Sequence, residues 1–185
     1  MKRALTFIIA MAVASQLANW TVFAAAHQYG KDKEAQGSTT LSKKDVKFIN
    51  DAAEGGLMEV RMGELAQQKG QSPDVKSFGQ RLVTDHTKAN EELKQLASGK
   101  GVTVPSQLDD KHQKMLDKLS NASDFDKTFK DMAIKDHKKD IKEFEKASKK
   151  CDDADLKAWI AKTLPTLQDH LSMAEQLGVA RTARR

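Results

Sequence analysis

Residues 72–93 read SPDVKSFGQRLVTDHTKANEEL, and residues 123–144 read SDFDKTFKDMAIKDHKKDIKEF. Laid over one another without a gap, they set Ser72 on Ser123, Phe78 on Phe129, Asp85 and His86 on Asp136 and His137, and Leu93 on Phe144. Each stretch begins with a helix start. Ser72 is an N-cap with Pro73 in the first turn, and Ser123 with Asp126 has the spacing of a capping box. Apolar residues then recur every three or four positions. They are Val75, Phe78, Leu82, Ala89, Leu93 and Leu96 in the first stretch, and Phe125, Phe129, Ala133, Ile141 and Phe144 in the second. That is the stripe of an amphipathic helix. A repeated helical hairpin accounts for the duplication.

Outward from these two helices the partners follow. Ser42 with Asp45 opens a helix that runs to Lys69 with Phe48, Ile49, Ala52, Ala53, Gly56, Val60 and Gly63 inward, and Gly70 ends it. A last helix runs from Asp153 to Leu177 and carries Leu156, Trp159, Ile160, Leu164, Leu167, Leu171 and Ala174. Pro165 is expected to kink it, because proline lacks the amide that would bond to Ala161. Between the hairpins, Lys100 to Ala122 holds Pro105 and a short helix with Leu108, Met115, Leu116 and Leu119. Two antiparallel pairs joined by one long connection give an all-α, ferritin-like four-helix bundle, with a helical crossover between helices two and three.

Composition agrees. Aromatic residues are 5% of the 185 and charged residues 31%, while the abundant types are those that lose least on entering a helix. The start, Met1-Lys2-Arg3 and then an uncharged run ending Ala24-Ala25-Ala26, reads as a signal peptide over 1–26, cleaved before His27. Retention of that run as a membrane anchor is the other reading. Residues 27–41 are a polar tether, 42–178 the bundle and 179–185 a basic tail. Periplasmic or secreted placement follows. The basic balance lies in Arg181, Arg184 and Arg185, since residues 41–179 hold 24 basic and 24 acidic side chains. Nucleic acid is therefore no expected partner, and the tail is left to touch anionic envelope components. Cys151, the one cysteine, reads as a surface thiol in the last inter-helix turn, open to a disulfide homodimer.

Which polar side chains point inward follows from their neighbours three and four positions away. Glu59 sits among Gly55, Gly56, Met62 and Gly63; His86 among Leu82, Val83 and Ala89; His137 among Ala133, Ile134 and Ile141; His170 among Leu167, Met173 and Ala174. Each long helix thus offers one inward ligand type. Glu59, His86, His137 and His170 are the candidate metal site, with Asp85, Asp136 and Asp169 placed to orient them. Imidazoles with a carboxylate suit Zn²⁺, Fe²⁺ or Cu²⁺. Met58, Met62, Met132 and Met173 read as core filling, with copper affinity as the other use of a thioether. His112 reads as a packing residue of the short helix, and the lysine run from Lys111 to Lys150 as a solvated face. Glu-x-x-His pairs are missing, for Val83, Ile134 and Leu167 stand three before the histidines. A redox enzyme therefore ranks behind two other readings, a metal-binding bundle first and a metal-free envelope interaction or stress-protection module second.

The ordered segments 59–66, 84–93, Asp136-His137 and 163–170 resemble domain-of-unknown-function family 4142, secreted bacterial proteins often labelled outer-membrane proteins. The resemblance covers about residues 42–178 and implies a ferritin-like four-helix domain. It brings no reaction with it.

Overall fold

The computed structural model describes residues 41–178, so the expected signal peptide, most of the tether and the basic tail lie outside the described residues. Five helices follow in order: α1 Lys43–Lys69, α2 Pro73–Gly99, α3 Asp110–Ser120, α4 Phe125–Lys150 and α5 Ala154–Gln176. Among the described residues there is no strand, and no helix is long and apolar enough to cross a membrane.

Helix starts follow their caps. The Ser42 hydroxyl accepts from the Asp45 N–H at 3.1 Å and donates to the Asp45 carboxylate at 2.8 Å, a reciprocal box that satisfies an amide the first turn leaves open. Ser72 and Asp153 cap α2 and α5 by accepting from the Asp74 and Leu156 N–H groups. The expected Ser123 cap is corrected. Asp124, not Ser123, accepts from the Lys127 N–H at 3.1 Å. Asp126, expected to complete that box, instead accepts from the backbone N–H groups of Gln71 and Ser72, at 2.9 and 2.8 Å. It therefore ties the start of α4 to the α1–α2 turn. Helix α5 runs on through Pro165 as one helix.

The core falls into two apolar clusters with a polar layer between them. One end packs Met58, Met62, Phe78, Leu82, Leu119 and Phe129; the other packs Ile49, Leu93, Phe144, Leu156, Trp159 and Ile160. Helix α1 also buries Asp45 in its first turn; beyond it, along every long helix the same order holds, apolar, then one buried polar residue, then apolar. Those polar residues are Glu59, His86, His137 and His170. In α1 the buried face is turned slightly from expectation. Met58 and Met62 are buried, while Phe48 and Val60 lie at its margin.

Helices α1 and α2 touch backbone to backbone. A Cβ at Gly63 would stand 2.5 Å from the Gly79 carbonyl oxygen, and one at Gly79 would stand 2.7 Å from the Gly63 carbonyl oxygen. The two glycines permit that approach. Cys151 corrects the surface reading, for it is 2% exposed. Its Sγ lies 3.5 Å from the Asp153 carbonyl oxygen, and burial pushes the thiol's pKa up, so no disulfide to a second chain forms at this position without opening the turn.

Candidate metal centre

Each imidazole owes its place to helical phase. His86 lies four residues after Leu82, His137 four after Ala133 and His170 three after Leu167, so each follows its stripe inward. One nitrogen from each of His86, His137 and His170 comes within 4.8 Å of one nitrogen of each of the others. Two of the rings, His137 and His170, are fully enclosed. Ring centroids stand 5.2 to 5.8 Å apart.

Hydrogen bonds fix the tautomers. His137 Nδ1 lies 2.9 Å from the Ala133 carbonyl oxygen, which can only accept, so Nδ1 carries the proton. His170 Nε2 lies 3.0 Å from the Asp85 carboxylate, which likewise accepts, so Nε2 carries the proton there. The remaining nitrogens, His137 Nε2 and His170 Nδ1, face each other at 3.2 Å. In neutral rings both present bare lone pairs to one spot. His86 Nε2 is buried beside them with no hydrogen-bond partner among the described residues. Burial first, and the neighbouring rings second, drive the pKa of His86 well down and that of His137 down to about 4. Burial also lowers His170, against the opposing pull of Asp85. Three neutral imidazoles converge, and their outer N–H groups, where seen, are held by a carboxylate and a carbonyl. This is how metal-binding histidines are oriented.

Glu59 is brought to the layer but to its other side. Its Oε1 lies 3.4 Å from His137 Nδ1, the nitrogen turned away from the other rings, and neither carboxylate oxygen has a hydrogen-bond partner among the described residues. Of the three aspartates, Asp85 reaches His170, Asp136 turns toward Glu59, and Asp169 is exposed.

Beyond Glu59 lies a small pocket of about 20 Å³ lined by Gly55, Glu59, His112, Asp136, Lys139 and Asp140. Its carboxyls crowd one another. Burial, then the charges of Asp136 and Asp140, push Glu59 well above the usual carboxylate range. Burial pushes Asp140 up to about 6 in spite of Lys139, and burial raises Asp136 too. Asp140 was absorbed into the solvated lysine face by sequence reading, although it sits three residues after His137 and four after Asp136, on one helix face. His112, expected to be a packing residue, has its Nδ1 2.8 Å from Asp109 Oδ1 and 3.4 Å from Glu54 Oε1. These three form a second, more exposed group of ligand atoms within 4.8 Å.

The domain of unknown function DUF4142 matches residues 30–177. The chain belongs to this family. Among curated proteins none matches the DUF4142 chain. Among solved structures, the DUF4142 bundle is similar to CopM in the Cu(I)-bound form, with 19% identity over 70% of this chain and 91% of CopM and a TM-score of 0.61. The Cu(II)-bound form of CopM gives 19% identity, 71% and 93% coverage and a TM-score of 0.63. A DUF305 fragment from Deinococcus radiodurans gives 10% identity, 73% and 95% coverage and a TM-score of 0.64. At these identities the shared property is the helical-bundle fold.

Proposed function

We propose that this DUF4142 protein is an exported metal-binding bundle that holds one transition-metal ion, copper foremost, on His86, His137 and His170. The observation that carries the reading is the pair of bare nitrogens, His137 Nε2 and His170 Nδ1, 3.2 Å apart with their opposite N–H groups already committed. Two lone pairs aimed at one another repel unless a cation lies between them, and burial opposes filling that place with a proton. An ion bound by imidazoles resolves the conflict, with Asp85 and the Ala133 carbonyl keeping the rings turned inward. Copper ranks ahead of zinc and iron because imidazole is a favoured copper ligand and copper stands at the top of the divalent affinity order. The fold likeness to CopM, a protein bound to copper in those structures, points the same way. Glu59 steadies His137 from outside the three nitrogens. Burial of the rings and a neighbouring cavity only large enough for a water or an ion favour holding metal over turning over a substrate.

Thermal unfolding tests this. An ion bound by the folded state alone adds about 2.7 kcal/mol at one hundred times Kd, so Cu²⁺ should raise the midpoint of the apo protein at pH 7.5. The rise should vanish in His86→Ala and in His137→Ala, and shrink at pH 5.5 as protons compete for imidazole. Midpoints indifferent to Cu²⁺, Zn²⁺ and Fe²⁺ would leave the histidines as core hydrogen-bonding residues and favour the metal-free envelope module.

A further inference from the structure

We propose that the imidazole site holds a monovalent d¹⁰ ion, Cu⁺ with Ag⁺ as its redox-inert analogue, ahead of Cu²⁺ and Zn²⁺, and that Arg81 sets this preference by cancelling the charge of Asp85. The inference rests on the metal-binding reading above and names the charge of the ion held there. It starts from the spacing of the donors. His137 Nε2 and His170 Nδ1 are 3.2 Å apart, and one nitrogen of each of the three rings lies within 4.8 Å of the others. At a metal–nitrogen distance of about 2.0 Å, tetrahedral neighbours stand about 3.3 Å apart and the neighbours in a square-planar set about 2.8 Å. The observed pair matches the tetrahedral spacing of a d¹⁰ ion more closely than the tetragonal set that Cu²⁺ prefers.

Spacing leaves Cu⁺, Ag⁺ and Zn²⁺, and charge separates them. The donors are neutral rings whose outer N–H groups are committed, His137 Nδ1 to the Ala133 carbonyl and His170 Nε2 to Asp85. Glu59 stands at the His137 nitrogen turned away from the other rings, 3.4 Å from it, and burial favours its uncharged form. Asp85 is the carboxylate behind His170, and its charge is already balanced. The oxygen that accepts from His170 Nε2 at 3.0 Å, Oδ2, also accepts from the Arg81 guanidinium one turn earlier on α2. The rings therefore present no net negative charge, in a place where His137 and His170 are fully enclosed and His86 is 6% exposed. The free energy of burying an ion rises with the square of its charge, about four times as much for a dication as for a monocation of the same size. A dication on three histidines draws in a further ligand, as Zn²⁺ does with water. Phe78, packed on His170 and His137 at centroid distances of 6.0 and 6.5 Å, offers none. Cu²⁺ and Zn²⁺ bind the same rings, and more weakly.

The test compares dissociation constants for the apo chain, Cu⁺ and Ag⁺ by anaerobic competition with a chromogenic Cu⁺ chelator, and Cu²⁺ and Zn²⁺ by competition with divalent-ion chelators. Cu⁺ should bind at least about ten-fold tighter than either dication, and Ag⁺ should displace it one for one. Arg81→Gln leaves Asp85 unbalanced and should move the ratio about ten-fold toward Cu²⁺, the weight of one unit charge beside a buried site. Arg61→Gln, at an exposed pair with Glu64 on α1, should leave the ratio as it is. Cu²⁺ or Zn²⁺ bound as tightly as Cu⁺, with His137→Ala abolishing all binding, would overturn the monovalent preference while leaving the imidazole site standing. An unchanged ratio in Arg81→Gln would overturn the part given to Arg81. No binding of any of the four ions by the wild-type chain would overturn the imidazole site itself, and the preference with it.

Discussion

Helices α2 and α4 repeat one another in sequence, yet the hairpins they belong to are closed by different means. Helices α1 and α2 meet at Gly63 and Gly79, backbone on backbone. Helices α4 and α5 meet through rings, with His137 on His170 at 5.3 Å and Phe144 on Trp159 at 5.5 Å. Where α2 carries Gly79, the aligned position of α4 is Lys130, whose ammonium donates to the Leu177 carbonyl oxygen. Where α2 carries Ala89, α4 carries Asp140. The repeat therefore fixes the level of a residue in the bundle, and its neighbours on the facing helix decide what it does. Asp85 and Asp136 show the same division. They are aligned, yet one holds His170 and the other faces Glu59.

The largest effect expected is one on which the hairpins agree. Phe78 and Phe129 are aligned, fully buried, and packed edge to face at 5.8 Å. Emptying either site, by Phe78→Ala or Phe129→Ala, should cost about 3 to 5 kcal/mol in urea denaturation. Glu64→Ala, at a half-exposed side chain paired with Arg61, should cost less than about 1 kcal/mol. Similar midpoints for Phe129→Ala and Glu64→Ala would contradict the shared core.

Next in size is the seam. Gly79→Val forces side-chain atoms onto the Gly63 carbonyl and should destabilise by about 3 kcal/mol. Lys130→Val at the aligned position should change stability by less than about 1 kcal/mol. Equal losses would mean that the hairpins are closed alike.

Asp140 separates the hairpins by pH. Its carboxyl titrates near 3.8 when unfolded and at about 6 when folded, so the folded chain binds the extra proton between those values. The stability this gives is present below the lower value and lost as pH rises through the upper one. His137, lowered from 6.5 to about 4, acts with the opposite sign and loses stability as pH falls through that window. Comparing Asp140→Asn with wild type cancels the histidine contribution. The variant should be more stable by about 1 to 3 kcal/mol at pH 7.5, with the gain fading toward pH 4. A gain that is flat with pH would remove Asp140 from the crowded pocket.

The smallest effects lie at the caps. Ser72→Ala and Asp124→Ala should each cost about 1 kcal/mol, whereas Ser123→Ala, though aligned with Ser72, should stay within about 0.5 kcal/mol. A loss at Ser123 matching that at Ser72 would restore the expected capping box.

Helix limits, the crossover and the inward turn of His86, His137 and His170 were legible because caps and 3.6-residue periodicity are local properties of the chain, whereas the height of His170 along the bundle was not. What could not be read is which side of a neighbour a buried group occupies. Glu59 is inward, as its glycine neighbours required, yet it stands behind His137 and not beside the other two imidazoles. The aspartates preceding the histidines illustrate a related limit. Adjacent helical residues point about 100° apart, so Asp85 cannot hold His86 and holds a ring from α5, while Asp169 is left in solvent. Cys151 was placed outside because turns usually are. The cluster formed with Leu156 and Trp159 covers it.

The polar layer across the middle of the core also works as a gauge of alignment along the bundle axis. An apolar core alone tolerates one helix sliding past its neighbours by a turn, since leucine meets leucine again about 5.4 Å further on. Here such a slip of α5 would set Thr166 or Ala174 at the height of His137 and part His170 from Asp85. Buried imidazole and carboxyl groups would then have no partners, a penalty that grows with every polar group stranded. Of the staggered arrangements open to these four helices, one brings the three rings together, and the chain is keyed to it by its own polar groups.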